Sequence, residues 1–263
     1  GSITDVDASL LPRIDLLIGG SSCQNFSLSG SRQGMITEDH QEVVSLEQYL
    51  KLKEEGFSFK GESYLFWEYV RLLKQIDPEY FFLENVVMTK KWEDVITKAL
   101  GVEPVKINST AFSAQSRVRL YWTNIPNDEV TKESGLVLQD IIDFSNTETT
   151  QVVPKSKVVR VGQKYTQFDL SGKGYQSQQD RIRHLDHPSN CLAAGTPSVP
   201  KIKLAEDQEN MYLRILTPQE CELLQTVPLN YTKAASDAQR RKMLGNGWNV
   251  KTIVHFFKNL QVV

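Results

Sequence analysis

The chain has 263 residues, a formal net charge of −2, 40% hydrophobic and 24% charged residues, proportions of a globular protein with one large domain or a large and a small one. No run approaches the ~18 apolar residues that span a bilayer and no signal-peptide pattern opens the chain, so no membrane partner is expected. Cys23, Cys191 and Cys221 are far apart, and with four histidines they give neither a zinc spacing nor a disulfide framework, which excludes a metal-stapled or secreted disulfide scaffold and points to a reducing cytoplasm.

In chain order, Arg13 to Gly20 reads as an apolar strand ending in a glycine pair. A long, acidic segment follows: Glu38 to Glu62 carries seven acidic residues against three lysines. Tyr64 to Gln75 has helical periodicity, stopped by Asp77-Pro78. Next come a strand at YFFLENV, a helix from Trp92 to Leu100, a strand at Val105 to Asn108 and another at LYWTNI. Strands alternating with helices predict a mostly parallel α/β sheet. Near Asn146 the texture turns rich in Ser, Thr, Gln and Gly, with short β-prone runs and no clear helix. Between Gln151 and Lys203 nine Lys or Arg face three Asp, which fits a phosphate-facing surface or simply a solvated basic face. Helical signals return at TPQECELLQ, where Thr217 and Glu220 form a capping box around Pro218, and VKTIVHFFKNL closes the chain as an apolar helix. The boundaries expected are 1–145 for a core, 146–210 for a small domain and 211–263 for a return to the core.

Four segments carry candidate chemistry. In DLLIGGSSCQNFS, Cys23 follows a strand and a glycine turn, where sites in open α/β sheets lie; a buried small-residue role explains the same cysteine. In FFLENV, Glu84 and Asn85 emerge from an apolar strand, and a desolvated carboxyl there suits proton holding or donation; a helix-start cluster reads equally well. In QSRVR, Arg117 and Arg119 are two apart, so an extended chain points both to one anionic partner, or to an exposed sheet edge. GNGWNV is a glycine turn opening the last helix, fit to hold a ligand at a helix N-terminus or merely to end the preceding segment.

Together, and in this order, the segments resemble the DNA cytosine-5 methyltransferase family. GGSSCQNFS resembles its nucleophile motif, FLENV its glutamate-asparagine-valine motif and AQSRVRLYW its glutamine-x-arginine-x-arginine motif. RILTPQECELLQTVP and GNGWNV resemble the two motifs after the recognition region, and HPSNCLAAGTPSVP the Ser/Thr-rich segment within it. The resemblance implies an incomplete Rossmann-like α/β methyltransferase sheet with a small, irregular β-rich target-recognition domain. It implies base flipping of cytosine in double-stranded DNA and methyl transfer from S-adenosylmethionine to C5, through a covalent Cys23–C6 intermediate. Glu84, Arg117 and Arg119 would be the other catalytic residues. Gln24, Ser27, Asn85 and Gln115 would bind substrate, and Ile3, Ser22, Asn246, Gly247 and Trp248 the cofactor. The implied setting is DNA methylation linked to restriction-modification, in the cytoplasm or, in a eukaryote, the nucleus, with no metal.

Two departures stand out. Ser22 occupies the place of the family's proline, whose fixed φ stiffens the nucleophile turn. The family's opening phenylalanine-x-glycine-x-glycine turn is absent, as is the acid after its second strand; only Ile3 and Thr4 match the segment that contacts the adenine side. A partner supplying an N-terminal half is therefore expected, with weak cofactor binding by this chain alone. Two other functions stay open: a catalytically silent DNA-binding or regulatory module, and a tRNA cytosine methyltransferase.

Overall fold

The computed structural model describes residues 1–27, 32–169, 181–193 and 199–260. Its chain forms two compact units, the first of Gly1–Ile107, Val118–Asn127 and Asn259–Val263, the second of Asn108–Arg117 and Asp128–Lys258.

In the first unit the elements are β1 (Leu16–Gly19), α1 (Leu46–Glu54), α2 (Leu65–Ile76), β2 (Tyr80–Val86), α3 (Lys90–Leu100), β3 (Val105–Asn108) and β4 (Val118–Thr123). The strands form one sheet in the order β1-β2-β4-β3. β1 and β2 are parallel, Leu16 opposite Tyr80 and Gly19 opposite Leu83. That pairing requires a long crossover, which α1 and α2 supply. β4 runs antiparallel to β2, so the sheet is mixed where the strand–helix alternation predicts mostly parallel pairing. The short return from β3 holds only a 3-10 turn at Ser109–Ala111, too little chain for a helical crossover. α2 stops where expected: Asp77 takes a left-handed backbone, φ 48°, and Pro78 cannot continue the helix. Phe66, Trp67, Leu83, Trp92, Ile96, Leu120 and Trp122 pack into the core with Phe26 and Met35.

The acidic segment is more ordered than its composition suggests. Ser45 caps α1, accepting from the Gln48 N–H, and α1 buries Leu46, Tyr49 and Leu52. Glu68 of α2 is fully buried and accepts from Tyr49 Oη at 2.5 Å, Lys53 Nζ at 2.7 Å and Arg71 Nε at 2.6 Å. Burial pushes this carboxyl up, but hydrogen bonds from Lys53, Tyr49 and Arg71 outweigh it and hold it below the ordinary carboxylate value.

The second unit contains β5 (Gln151–Pro154), β6 (Val158–Val161), β7 (Tyr165–Phe168), β8 (Arg181–Arg183), β9 (Lys201–Glu206) and β10 (Asn210–Ile215). These share one sheet, in the order β5-β10-β9-β8-β7-β6, with register shifts between Tyr212 and Leu213 and between Val158 and Arg160, in keeping with the irregular β-rich unit expected. α4 (Pro218–Leu224), α5 (Asp237–Asn246) and α6 (Val250–Phe257) follow. The capping box forms as read: Thr217 Oγ1 accepts from the Glu220 N–H while Glu220 accepts from the Thr217 N–H. Glu220 also accepts from Nη1 and Nη2 of the buried Arg214, at 2.7 and 2.6 Å. α5 was not legible from periodicity, since its anchor is polar: Arg240 is buried and paired to Glu222. Among the described residues no helix is long and apolar enough to cross a membrane.

Candidate active site

The parallel pairing of β1 with β2 brings the two strands' carboxyl ends side by side, one leading to Cys23 and the other to Glu84. Cys23 is exposed and heads a tight turn whose carbonyl accepts from the Phe26 and Ser27 N–H groups at 3.1 and 2.9 Å. Gln24 is exposed beside it, and Ser27 is half-buried. Phe26 anchors the turn: it is fully buried and meets Trp92 edge-on, centroids 6.2 Å apart. Gly34 closes the arrangement, donating to the Asn25 carbonyl at 2.8 Å with φ +71°. A Cβ there would lie 1.8 Å from Trp92, so only glycine fits.

Glu84 is nearly buried. Because Glu84 faces Tyr121 and Val86 faces Arg119 across the antiparallel pair, Arg119 is the same-face diagonal neighbour of Glu84. Its Nε lies 2.9 Å from Glu84 Oε1. No donor directs a hydrogen at that buried oxygen, so the carboxylate has its counter-charge but keeps acceptor capacity for a ligand.

Asn85, expected to bind substrate, points to the opposite sheet face and is buried. Its Nδ2 donates to Ser21 Oγ at 2.9 Å, tying β2 to the chain entering the Cys23 turn. The structure thus gives it a scaffolding contact, because strand alternation sends adjacent side chains to opposite faces.

Arg117 also departs from expectation. The i, i+2 geometry that would align it with Arg119 holds only inside a strand, and Arg117 precedes β4 and belongs to the second unit. It is buried, and donates to the carbonyls of Leu192, Gly245 and Gly247 at 3.3, 3.2 and 3.0 Å, with Cys191 Sγ at 3.4 Å. Gln115, expected to bind substrate, is fully buried. It accepts from the Leu192 N–H and donates to Leu224 O and Gln225 Oε1. Gln225 in turn donates to Leu244 O and Gly247 O, and Asn249 caps α6 through the Thr252 N–H. This network fixes the GNGWN turn, leaving Asn246 exposed and Gly247 and Trp248 half-exposed. Of the Ser/Thr-rich segment, residues 194–198 lie outside the described residues, as do 170–180 of the basic stretch.

Ile3 sits in a 3-10 turn capped by Ser2. Arg71, held by Glu68, donates to the Ile3 and Val6 carbonyls at 3.3 and 3.0 Å. Neither Glu68 nor Arg71 stands out in the sequence, where they read as one helical i, i+3 pair. Ser63 was missed too: it is fully buried and bonds to Ser22 and Asn25, a link between residues about forty apart that no local pattern reveals.

The fold is that of a methyltransferase. The chain is similar to the crystal structure of the Schizosaccharomyces pombe (S. pombe) Dnmt2 methyltransferase, with TM-score 0.59, 18% identity, and 98% of this chain and 84% of that one covered. The family model for C-5 cytosine-specific DNA methylases matches residues 1–262, and the chain belongs to that family. It is 25% identical to the type II methyltransferase M1.ScrFI of Lactococcus lactis subsp. cremoris, over 96% of this chain and 64% of the relative. It is 30% identical to the orphan methyltransferase M.SPRI of Bacillus phage SPR, over 51% of this chain and 28% of the relative. The chain thus spans less than two thirds of the length of either relative.

Proposed function

We propose that this protein methylates C5 of cytosine in double-stranded DNA, with Cys23 as nucleophile and Glu84 and Arg119 as the groups that hold and polarise the base. The observation that carries this reading is the exposed thiol in the turn beyond β1, which pairs with a strand whose buried Glu84 carboxylate has an unused acceptor and an arginine at 2.9 Å. Cytosine C5 is a poor nucleophile. Addition of the Cys23 thiolate to C6 forms a carbon–sulfur bond and pushes an electron pair through the ring, making C5 enamine-like. Glu84 Oε1 is suited to accept a hydrogen from the exocyclic amine or a protonated N3, stabilising the ring as charge develops. Arg119 keeps that carboxylate oriented and presents positive charge to the same ring. S-adenosylmethionine, when bound, would supply an electrophilic methyl group to C5, its sulfonium sulfur keeping the electron pair of the broken bond and leaving as a neutral thioether. Loss of the C5 proton to water then returns the electron pair and expels Cys23. C6 is shielded in a stacked duplex, so the base must leave the stack, at a cost of a few kcal/mol.

The described residues fit the cofactor only in part. The Ile3 carbonyl is held by Arg71, but this sequence contains no phenylalanine-x-glycine-x-glycine turn after a strand. Among the described residues β1 pairs on one side only, with Ile18 47% exposed, and an open strand edge of this kind accepts further chain. We propose that the cofactor pocket is completed there by another polypeptide segment. Covalent trapping on 5-fluorocytosine duplexes tests the function, run on DNA and RNA with S-adenosylmethionine, with and without an added N-terminal methyltransferase half. A Cys23-linked adduct on DNA in the completed system supports it; no adduct, or adducts that survive Cys23→Ser, would defeat it. Calorimetry should find sub-millimolar affinity for S-adenosylmethionine absent from the chain alone. Tight, one-to-one binding would overturn the incomplete pocket.

A further inference from the structure

We infer that the segment Lys60–Ser63, which is not among the motif-like segments read from the sequence, is the positioning cradle of the Cys23 turn and does the work that a proline before the cysteine would do. The inference rests on the proposed role of Cys23. Four observations converge on it, all in the first unit. Ser63 Oγ donates to the Ser22 carbonyl at 3.0 Å and accepts from the Asn25 N–H at 3.3 Å, so one buried hydroxyl grips the backbone on both sides of Cys23. Asn25 Nδ2 donates to the Lys60 carbonyl at 3.0 Å. Gly61, with φ +67°, lets Asn25 come so close that a Cβ at 61 would sit 2.7 Å from Nδ2. On the far side of the turn, Phe26 and Gly34 hold its exit as described above, so the clamp on 22 and 25 fixes the remaining freedom.

The physical need is specific. A proline removes φ freedom from the residue before the nucleophile and narrows the thiol's positions before substrate arrives. Serine at 22 has no such constraint. The hydrogen-bonded hydroxyl of Ser63 restrains the same residue from its other side, by holding its carbonyl. Misplacing a reacting atom by about an ångström costs about a hundredfold in rate, so the cradle acts on reaction at Cys23 and not on DNA affinity. Ser63 touches neither base nor cofactor in this scheme; it is a positioning residue.

The test uses the full chain and a duplex carrying 2-pyrimidinone in place of cytosine, which takes up a thiolate at C6 without a methyl donor. Ser63→Ala should slow adduct formation about tenfold at saturating duplex while changing duplex affinity less than twofold. Amide hydrogen exchange in 22–27 should rise about tenfold with α2 and β2 unchanged. Adding Ser22→Pro to Ser63→Ala keeps the carbonyl and restores the missing stiffness, so it should recover most of the lost rate, whereas a cradle-independent role would leave the two changes additive. Gly61→Ala is the second variant, read in the same way should Ser63→Ala fail to fold. Unchanged exchange and adduct rate in both variants, or additivity with Ser22→Pro, overturns the inference. An absence of adduct with the parent chain in the system completed by the N-terminal half counts against the proposed function instead, and the exchange measurement still decides the cradle.

Discussion

Replacing Arg117 with methionine should destabilise the second unit by about 2–3 kcal/mol, a loss built from opposing contributions. The guanidinium donates to three backbone carbonyls. Gly247 O keeps a second donor in Gln225 Nε2 at 3.2 Å, and Leu192 O keeps the weak Cys191 thiol at 3.3 Å. Orphaning the Gly245 carbonyl costs about 1–3 kcal/mol, and weakening each of the other two about 1 kcal/mol. Against this, methionine fills similar volume and removes a buried cation whose partners are carbonyls and a thiol, which offsets part of the loss. Urea titration followed by tryptophan fluorescence measures the difference, and Arg117→Lys should fall between, since one ammonium cannot reach all three acceptors. A change under about 0.5 kcal/mol, with activity alone destroyed, would refute the reasoning and return Arg117 to the substrate.

Cys23→Ser should leave stability within about 0.5 kcal/mol, because the side chain is exposed, and should abolish adduct formation; residual adduct would move the nucleophile elsewhere. Glu84→Gln should keep the fold but lower methyl transfer by about 10²–10³, the usual cost of losing one charge-stabilising group, measured by tritium transfer in the completed system. Gly34→Ala forces both φ +71° on alanine and a Cβ onto Trp92, so a loss of about 3 kcal/mol or more is expected in thermal melts. Acid should weaken the fold in a defined window. Burial pushes the Glu222 carboxyl up, but Thr232, Arg240 and the Asn230 N–H hold it below its ordinary 4.5, as Lys53, Tyr49 and Arg71 do for Glu68. Their contribution is complete above that ordinary value and disappears as pH falls through the lower folded-state values. Denaturation midpoints should therefore be flat between about pH 7 and 5.5 and drop below about 4.5, with Glu68→Gln flattening the acid limb; a drop that begins above pH 5.5 would contradict this.

The sequence by itself determined whatever depends on neighbours a few positions away. Periodicity marks α2 and α6, Thr217 with Glu220 marks the start of α4, and Asp77-Pro78 marks the end of α2. The ordered motifs around Cys23, Glu84 and Arg119 resemble those of the C-5 cytosine-specific methylase family, to which the chain belongs. Only the tertiary structure decided where polar side chains spend their hydrogen bonds, because those partners lie tens to more than a hundred positions away. Arg117 and Gln115 look like surface groups in QSRVR, yet they are buried against backbone from 192 to 247. Adjacent Glu84 and Asn85 receive different tasks because a strand turns them to opposite faces, one to Arg119 and one to Ser21. Lys60–Ser63 was not singled out by any local pattern, since a serine becomes a clamp only when folding closes the long acidic segment back onto the Cys23 turn.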